Sequence, residues 1–90
     1  MKPPIWMNLR DALAIHDKML ALYGGLSGVR DQGMLESALA KPMNLFAYGK
    51  SKITDLATSY AAGVVHNHPF IDGNKRTGFM TAAVFLEANG

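Results

Sequence analysis

A stripe of Leu9, Leu13, His16, Leu20 and Tyr23 steps by four, three, four and three residues, the period of one helical face. Asn8 precedes it as a good N-cap, and Gly24-Gly25 closes it, so the pattern predicts a first helix over about 8–23. Ser27-Gly28 reads as a turn. Asp31 then caps a short helix carrying Leu35 and Leu39 on one side, which Pro42 ends. From Met43 to Lys50 the pattern loses its helical period, and a loop or a short extended flap is expected.

Ile53, Leu56, Ala57, Tyr60, Ala61, Val64 and Val65 return to one helical face, predicting a helix from Ser51 or Thr54 to about Asn67. His68-Pro69 stops it, because proline disfavours the helical region for the residue before it. A last helix begins after Gly73. Phe79, Met80, Ala83, Val84, Phe85 and Leu86 spread over nearly its whole circumference, the pattern of a helix at a buried centre. Asn89-Gly90 reads as its stop, and no further helix follows to cover that surface. A second copy or another chain is one way to cover it.

Four helices and no strand pattern define an all-α class. Ninety residues, 49% hydrophobic and 18% charged, fit one domain over 1–90 near the lower size limit and exclude a disordered polar chain. The formal charge of +2 is too slight to drive nucleic-acid binding by counterion release. Cysteine is absent, which removes disulfides, thiolate nucleophiles and Cys-based zinc sites. No apolar run has the length of a signal-peptide core or a membrane span, so the default expectation is a cytoplasmic protein with no membrane partner.

Chemistry concentrates at His68, Asp72, Asn74, Lys75 and Arg76, within nine positions between two helices. Gly73 permits a close backbone approach, and the amides of Asn74, Lys75 and Arg76 are the donors that a helix start leaves unpaired. Such donors, with the helix dipole and two cations, make a phosphate site in a chain of little net charge. Asp72 would repel phosphate unless a hard divalent cation lay between them, and magnesium suits one carboxylate plus phosphate oxygens. Histidine is the side chain whose unperturbed pKa lies near neutrality, which makes His68 the candidate base for an attacking hydroxyl. The set reads as phosphoryl or nucleotidyl transfer, which asks for positioning and charge stabilisation more than for a covalent nucleophile.

Other readings are weaker. His66, His68 and Asp72 lack a fourth ligand for zinc. The order Gly-Lys-Ser/Thr of a P-loop is missing from Gly73-Asn74-Lys75-Arg76-Thr77-Gly78. His16, on the apolar stripe, reads as a core histidine bonded to a backbone carbonyl.

The stretch His68-Pro69-Phe70-Ile71-Asp72-Gly73-Asn74-Lys75-Arg76 resembles the signature HxFx(D/N)(G/A)NKR of the Fic/Doc superfamily. Ile15-His16-Asp17, Tyr23-Gly24-Gly25-Leu26 and Ile53-Thr54-Asp55-Leu56 resemble its Doc, or death-on-curing, branch. The resemblance implies a Fic/Doc-type helical bundle with the motif loop between two central helices and with the family's C-terminal helices absent. It also implies His68 as general base, Asp72 as magnesium ligand, Gly73, Asn74 and Lys75 as phosphate cradle, Arg76 as phosphate clamp and Phe70 as the loop's anchor in the core.

By the same resemblance the expected activity is that of a Doc-type toxin, a kinase moving the γ-phosphate of ATP to a threonine of a translation factor such as elongation factor Tu. A cognate antitoxin would hold it inactive. The AMP-transferring branch usually has HPFx(D/E)GNGRxxR, with glycine where Lys75 stands and a second arginine where Phe79 stands, so AMP transfer is the alternative. A silent fragment that binds an antitoxin is a third reading. Tyr48, Lys50 and Lys52 fall near the segment that forms a target-docking flap in Fic folds, although an exposed basic loop explains them as well.

Overall fold

The computed structural model describes residues 2–49 and 51–90. Its helices are α1 (Leu9–Tyr23), α2 (Gln32–Ala47), α3 (Ile53–Asn67) and α4 (Asn74–Asn89), and among the described residues there is no strand. The extended flap expected over 43–50 is therefore replaced by helix as far as Ala47, with Tyr48 and Gly49 in a turn and Lys50 outside the described residues.

Local chemistry sets the helix starts. Asn8 and Asp11 form a reciprocal capping box, the Asn8 side chain accepting from the Asp11 amide and the Asp11 carboxylate from the Asn8 amide, each at 2.9 Å. Asp31 caps α2 by accepting from the Met34 amide at 3.0 Å. Asp55 reaches back to the Lys52 amide at 2.9 Å to start α3. Each bond satisfies a donor that helix geometry leaves without a partner.

Pro42 does not end α2. It lies inside the helix, which runs one further turn, and its ring is fully buried. An internal proline costs about 3 kcal/mol in an exposed helix. Here burial of the ring against the core offsets that cost, which local sequence cannot anticipate.

Helix α3 is the central element, packed mainly against α4 and α2, while α1 lies against α4. The core gathers Leu35, Ala38, Leu56, Tyr60, Val64, Phe70 and Phe85 from three helices and the 68–73 loop. Helix α3 approaches α2 closely at Gly63, where a Cβ would stand 3.2 Å from the Ala38 carbonyl oxygen. The N-terminal arm crosses the far end: Trp6 lies edge-on to Phe46 at 5.6 Å and stacks on Phe85 at 6.0 Å, and the Met7 amide donates to the Tyr60 hydroxyl at 2.9 Å. The Ile5 backbone makes two bonds to the Asn89 side-chain amide, at 2.7 and 2.9 Å.

The last helix differs from the buried centre its pattern suggested. Thr77, Gly78, Thr81 and Phe85 are buried on one face, whereas Phe79 is 55% exposed and Met80 and Leu86 are also open. Apolar positions around a whole helix do not tell which of them this chain covers. No described helix is long and apolar enough to cross a membrane.

Candidate functional site

The loop between α3 and α4 is fixed from both sides. Phe70 is fully buried, and the His16 ring stacks on it with centroids 3.8 Å apart and planes 7° from parallel. His16 Nε2 lies 2.8 Å from the Asp72 carbonyl oxygen, so the histidine of α1 is indeed a core residue bonded to backbone. Asn74, itself buried, uses its whole side chain on the loop: Oδ1 accepts from the Phe70 amide and Nδ2 donates to the Phe70 carbonyl, both at 2.9 Å. Of the expected phosphate cradle, Asn74 thus has its side chain engaged within the loop. Only its backbone amide is free to face a ligand.

Residues 24–31 wrap the outside of the loop. Val29 and Phe70 form an isolated antiparallel bridge, and the Ile71 amide donates to the Gly28 carbonyl at 3.1 Å. Pro69 O accepts from the Arg30 and Asp31 amides at 2.7 and 3.0 Å. The Arg30 guanidinium adds two bonds, Nε to His68 O at 2.7 Å and Nη2 to Asn67 O at 2.9 Å. Sequence reasoning missed this arginine, because a lone cation in a turn carries no spacing signal that ties it to a loop 38 residues away.

The structure brings His68, Asp72, Gly73, Asn74, Lys75 and Arg76 together on the wall of one cleft of about 420 Å³, with Val65 as an added apolar wall. That volume lies within the ordinary range of ligand pockets. Val65, which periodicity assigned to the buried face of α3, is 39% exposed there. The imidazole of His68 is solvent-accessible at the C-terminal end of α3.

Gly73 is the N-cap of α4 and has φ 76°, with no side-chain cap over the helix start. A Cβ at Gly73 would meet Leu20 and His16 at 3.6–3.7 Å, ordinary contact, so within the protein itself glycine is called for by the left-handed backbone. Among the described residues, the amides of Asn74, Lys75 and Arg76 have no acceptor. Lys75 and Arg76 are exposed beside these amides, and no acid occupies the first turn. The Arg76 guanidinium rests 4.4 Å over the Tyr23 ring, a cation–π contact that parks it at the cleft's rim.

Asp72 accepts from the Leu26 amide at 3.0 Å and the Gly73 amide at 2.9 Å. These two bonds, with the Arg76 charge and His16 adding to them, hold its carboxyl below the usual carboxylate range. Gly25 is tightly apposed to it, since a Cβ there would stand 2.8 Å from Asp72 Oδ2. Each carboxylate oxygen keeps a second lone pair, and the side chain is exposed on the cleft. Among the described residues no cluster of three metal-ligating side chains exists. A hard cation thus fits Asp72 only if phosphate oxygens and water complete its shell, which is how magnesium is usually held.

An imidazole, a carboxylate and unpaired helix-start amides thus face one cleft. The sequence profile of the Fic/DOC family matches residues 6–86, and the chain belongs to that family. It is similar to "Protein kinase doc" of Escherichia phage P1, 36% identical over 83 residues that make up 89% of this chain and 64% of that protein. It is also similar to "Toxin Doc" of Mycolicibacterium smegmatis, 38% identical over 71 residues, 76% of this chain and 54% of that one. The chain therefore spans between about half and two thirds of the lengths of these relatives.

Proposed function

We propose that this chain is a Doc-type phosphotransferase that moves the γ-phosphate of ATP to a hydroxyl of a protein target. The observation that carries the reading is the set of three acceptor-free amides at the start of α4, facing a cleft that also presents His68, Asp72, Lys75 and Arg76. Helix-start amides take phosphate oxygens, Lys75 adds charge beside them, and Arg76 leaves Tyr23 to close on the transferring group. His68 accepts the proton of the target hydroxyl as its oxygen attacks the γ-phosphorus; the bond to the β-bridging oxygen breaks and ADP leaves.

Asp72 would hold a magnesium ion, which when bound neutralises phosphate charge. Below its ordinary range, the Asp72 carboxyl is ionised at neutral pH and ready for that role. Phe79 stands where the AMP-transferring pattern has a second arginine, and it lines an adjoining groove with Met19, Tyr23, Met80 and Arg76, the last of which also lines the cleft. An apolar ring in place of that arginine offers no phosphate contact, which favours γ over α transfer. The name of the phage relative, a protein kinase, and the toxin name of the mycobacterial one support the same direction.

A threonine of a translation factor such as elongation factor Tu is the proposed acceptor, and a cognate antitoxin the proposed regulator, in the cytoplasm. Incubation of the chain with the factor and ATP labelled at the γ or the α position tests the reading. Label from the γ position on the factor is the expected result. Label from the α position replaces it with AMP transfer, and no label from either removes both.

A further inference from the structure

His68 is the one non-glycine residue with positive φ among the described residues, at φ 51° and ψ 52°. Two effects oppose that conformation. A Cβ disfavours the left-handed region by about 1–2 kcal/mol, and the proline that follows pushes its neighbour toward extended backbone. Something must hold the residue there. Its own amide still donates to the Val64 carbonyl at 3.1 Å, as a left-handed helix cap does. The carbonyls of Asn67 and His68, however, are helix-end acceptors that no later amide of α3 reaches. Arg30 takes both through one planar fork, at 2.9 and 2.7 Å.

We infer that Arg30 is a positioning residue for His68: its guanidinium locks the left-handed turn at the end of α3 and so keeps the imidazole on the cleft wall. This rests on the reading of His68 as general base. A guanidinium suits the task because Nε and Nη2 are fixed in one plane, so binding two successive carbonyls sets their relative orientation. The backbone bonds from Arg30 and Asp31 to Pro69 O keep the fork in place from the adjoining strand of chain. Without the fork, His68 relaxes toward the extended conformation that proline favours, and the imidazole swings away from the helix-start amides.

The test compares Arg30→Ala and Arg30→Lys with the parent chain by transfer kinetics and by NMR, where a strong intraresidue amide-to-Hα cross-peak marks positive φ at His68. In Arg30→Ala, kcat is expected to fall ~10- to 100-fold with KM for ATP changed less than about twofold, because geometry is lost while the phosphate amides remain. The cross-peak weakens in parallel. Arg30→Lys keeps the charge but cannot fork, and recovers only part of both. Unchanged kcat in Arg30→Ala, or a lysine variant equal to the parent in rate and cross-peak, overturns the inference. If the parent chain transfers nothing, the proposed function fails, and the His68 cross-peak alone decides: retained in both variants it overturns the positioning role, lost in Arg30→Ala it supports it. Should Arg30→Ala not fold, the lysine variant carries both readouts.

Discussion

The His16 ring lies flat on Phe70, 3.8 Å between centroids, while its Nε2 meets the Asp72 carbonyl oxygen at 2.8 Å. One side chain of α1 thus grips the motif loop by a face and by an edge. His16→Ala is expected to destabilise the fold by about 2–4 kcal/mol, from the lost stack, the cavity and a partly buried carbonyl left unpaired. His16→Phe keeps the stack and should lose only about 1–2 kcal/mol. Thermal or urea denaturation of both variants separates the two contributions.

The Asn74 side chain bonds to Phe70 through both Oδ1 and Nδ2. Asn74→Ala leaves a buried amide and a buried carbonyl without partners, and a loss of about 2–4 kcal/mol is expected. Asn74→Asp keeps the acceptor, loses the donor and adds negative charge beside the phosphate amides. It should therefore weaken ATP binding more than Asn74→Ala does at equal folded fraction, which titration calorimetry checks.

Lys75 stands at the positive end of α4 with no acid in the first turn to balance it. In the absence of an anion its charge opposes the helix dipole. Lys75→Met is expected to raise the stability of the ligand-free chain by about 0.3–1 kcal/mol and to weaken ATP binding roughly tenfold. A gain in melting temperature together with a loss in affinity is the expected pair; a loss in both refutes the assignment.

Asp72 has its folded pKa depressed, chiefly by the Leu26 amide and then by the Gly73 amide. Its contribution to stability is present above the unfolded pKa and disappears as pH falls through the folded one. Asp72→Asn should therefore be less stable than the parent at about pH 7, with the difference closing as the pH drops below the ordinary aspartate range near 4. Melting curves of the two chains across that interval are the check.

Gly63 lies where α3 meets α2. An added methyl would press on the Ala38 backbone oxygen and Cβ at 3.2 Å and its Cα at 3.3 Å, and backbone does not yield cheaply. Gly63→Ala should destabilise by about 1–3 kcal/mol despite alanine's better helix propensity. Denaturant unfolding measures it.

Much of this was legible in the residues themselves. Asn8 and Asp31 mark the first two helix starts because capping is local chemistry. His68 to Arg76 mark the cleft because donors, cations and an acid crowd a short stretch. Pro42 misled, since only burial in the assembled core makes an internal proline tolerable. The contacts of Arg30, Gly25 and Leu26 with the motif loop were not legible for a related reason: they reach across 38 or more residues of chain, and no periodicity records a contact of that range. The bonds from the Asn74 side chain to Phe70 were not legible either, since the sequence marked Asn74 only through its place at the start of α4.

The clasp between Ile5 and Asn89 joins positions 84 residues apart. On a ribosome, α1 to α3 emerge before the residues that close that clasp, and before Phe85 can complete the core. The same late segment carries the acceptor-free amides of Asn74, Lys75 and Arg76. The cleft wall and the clasp therefore both wait for α4, so the arm before α1 is tied down by the same helix that completes the cleft.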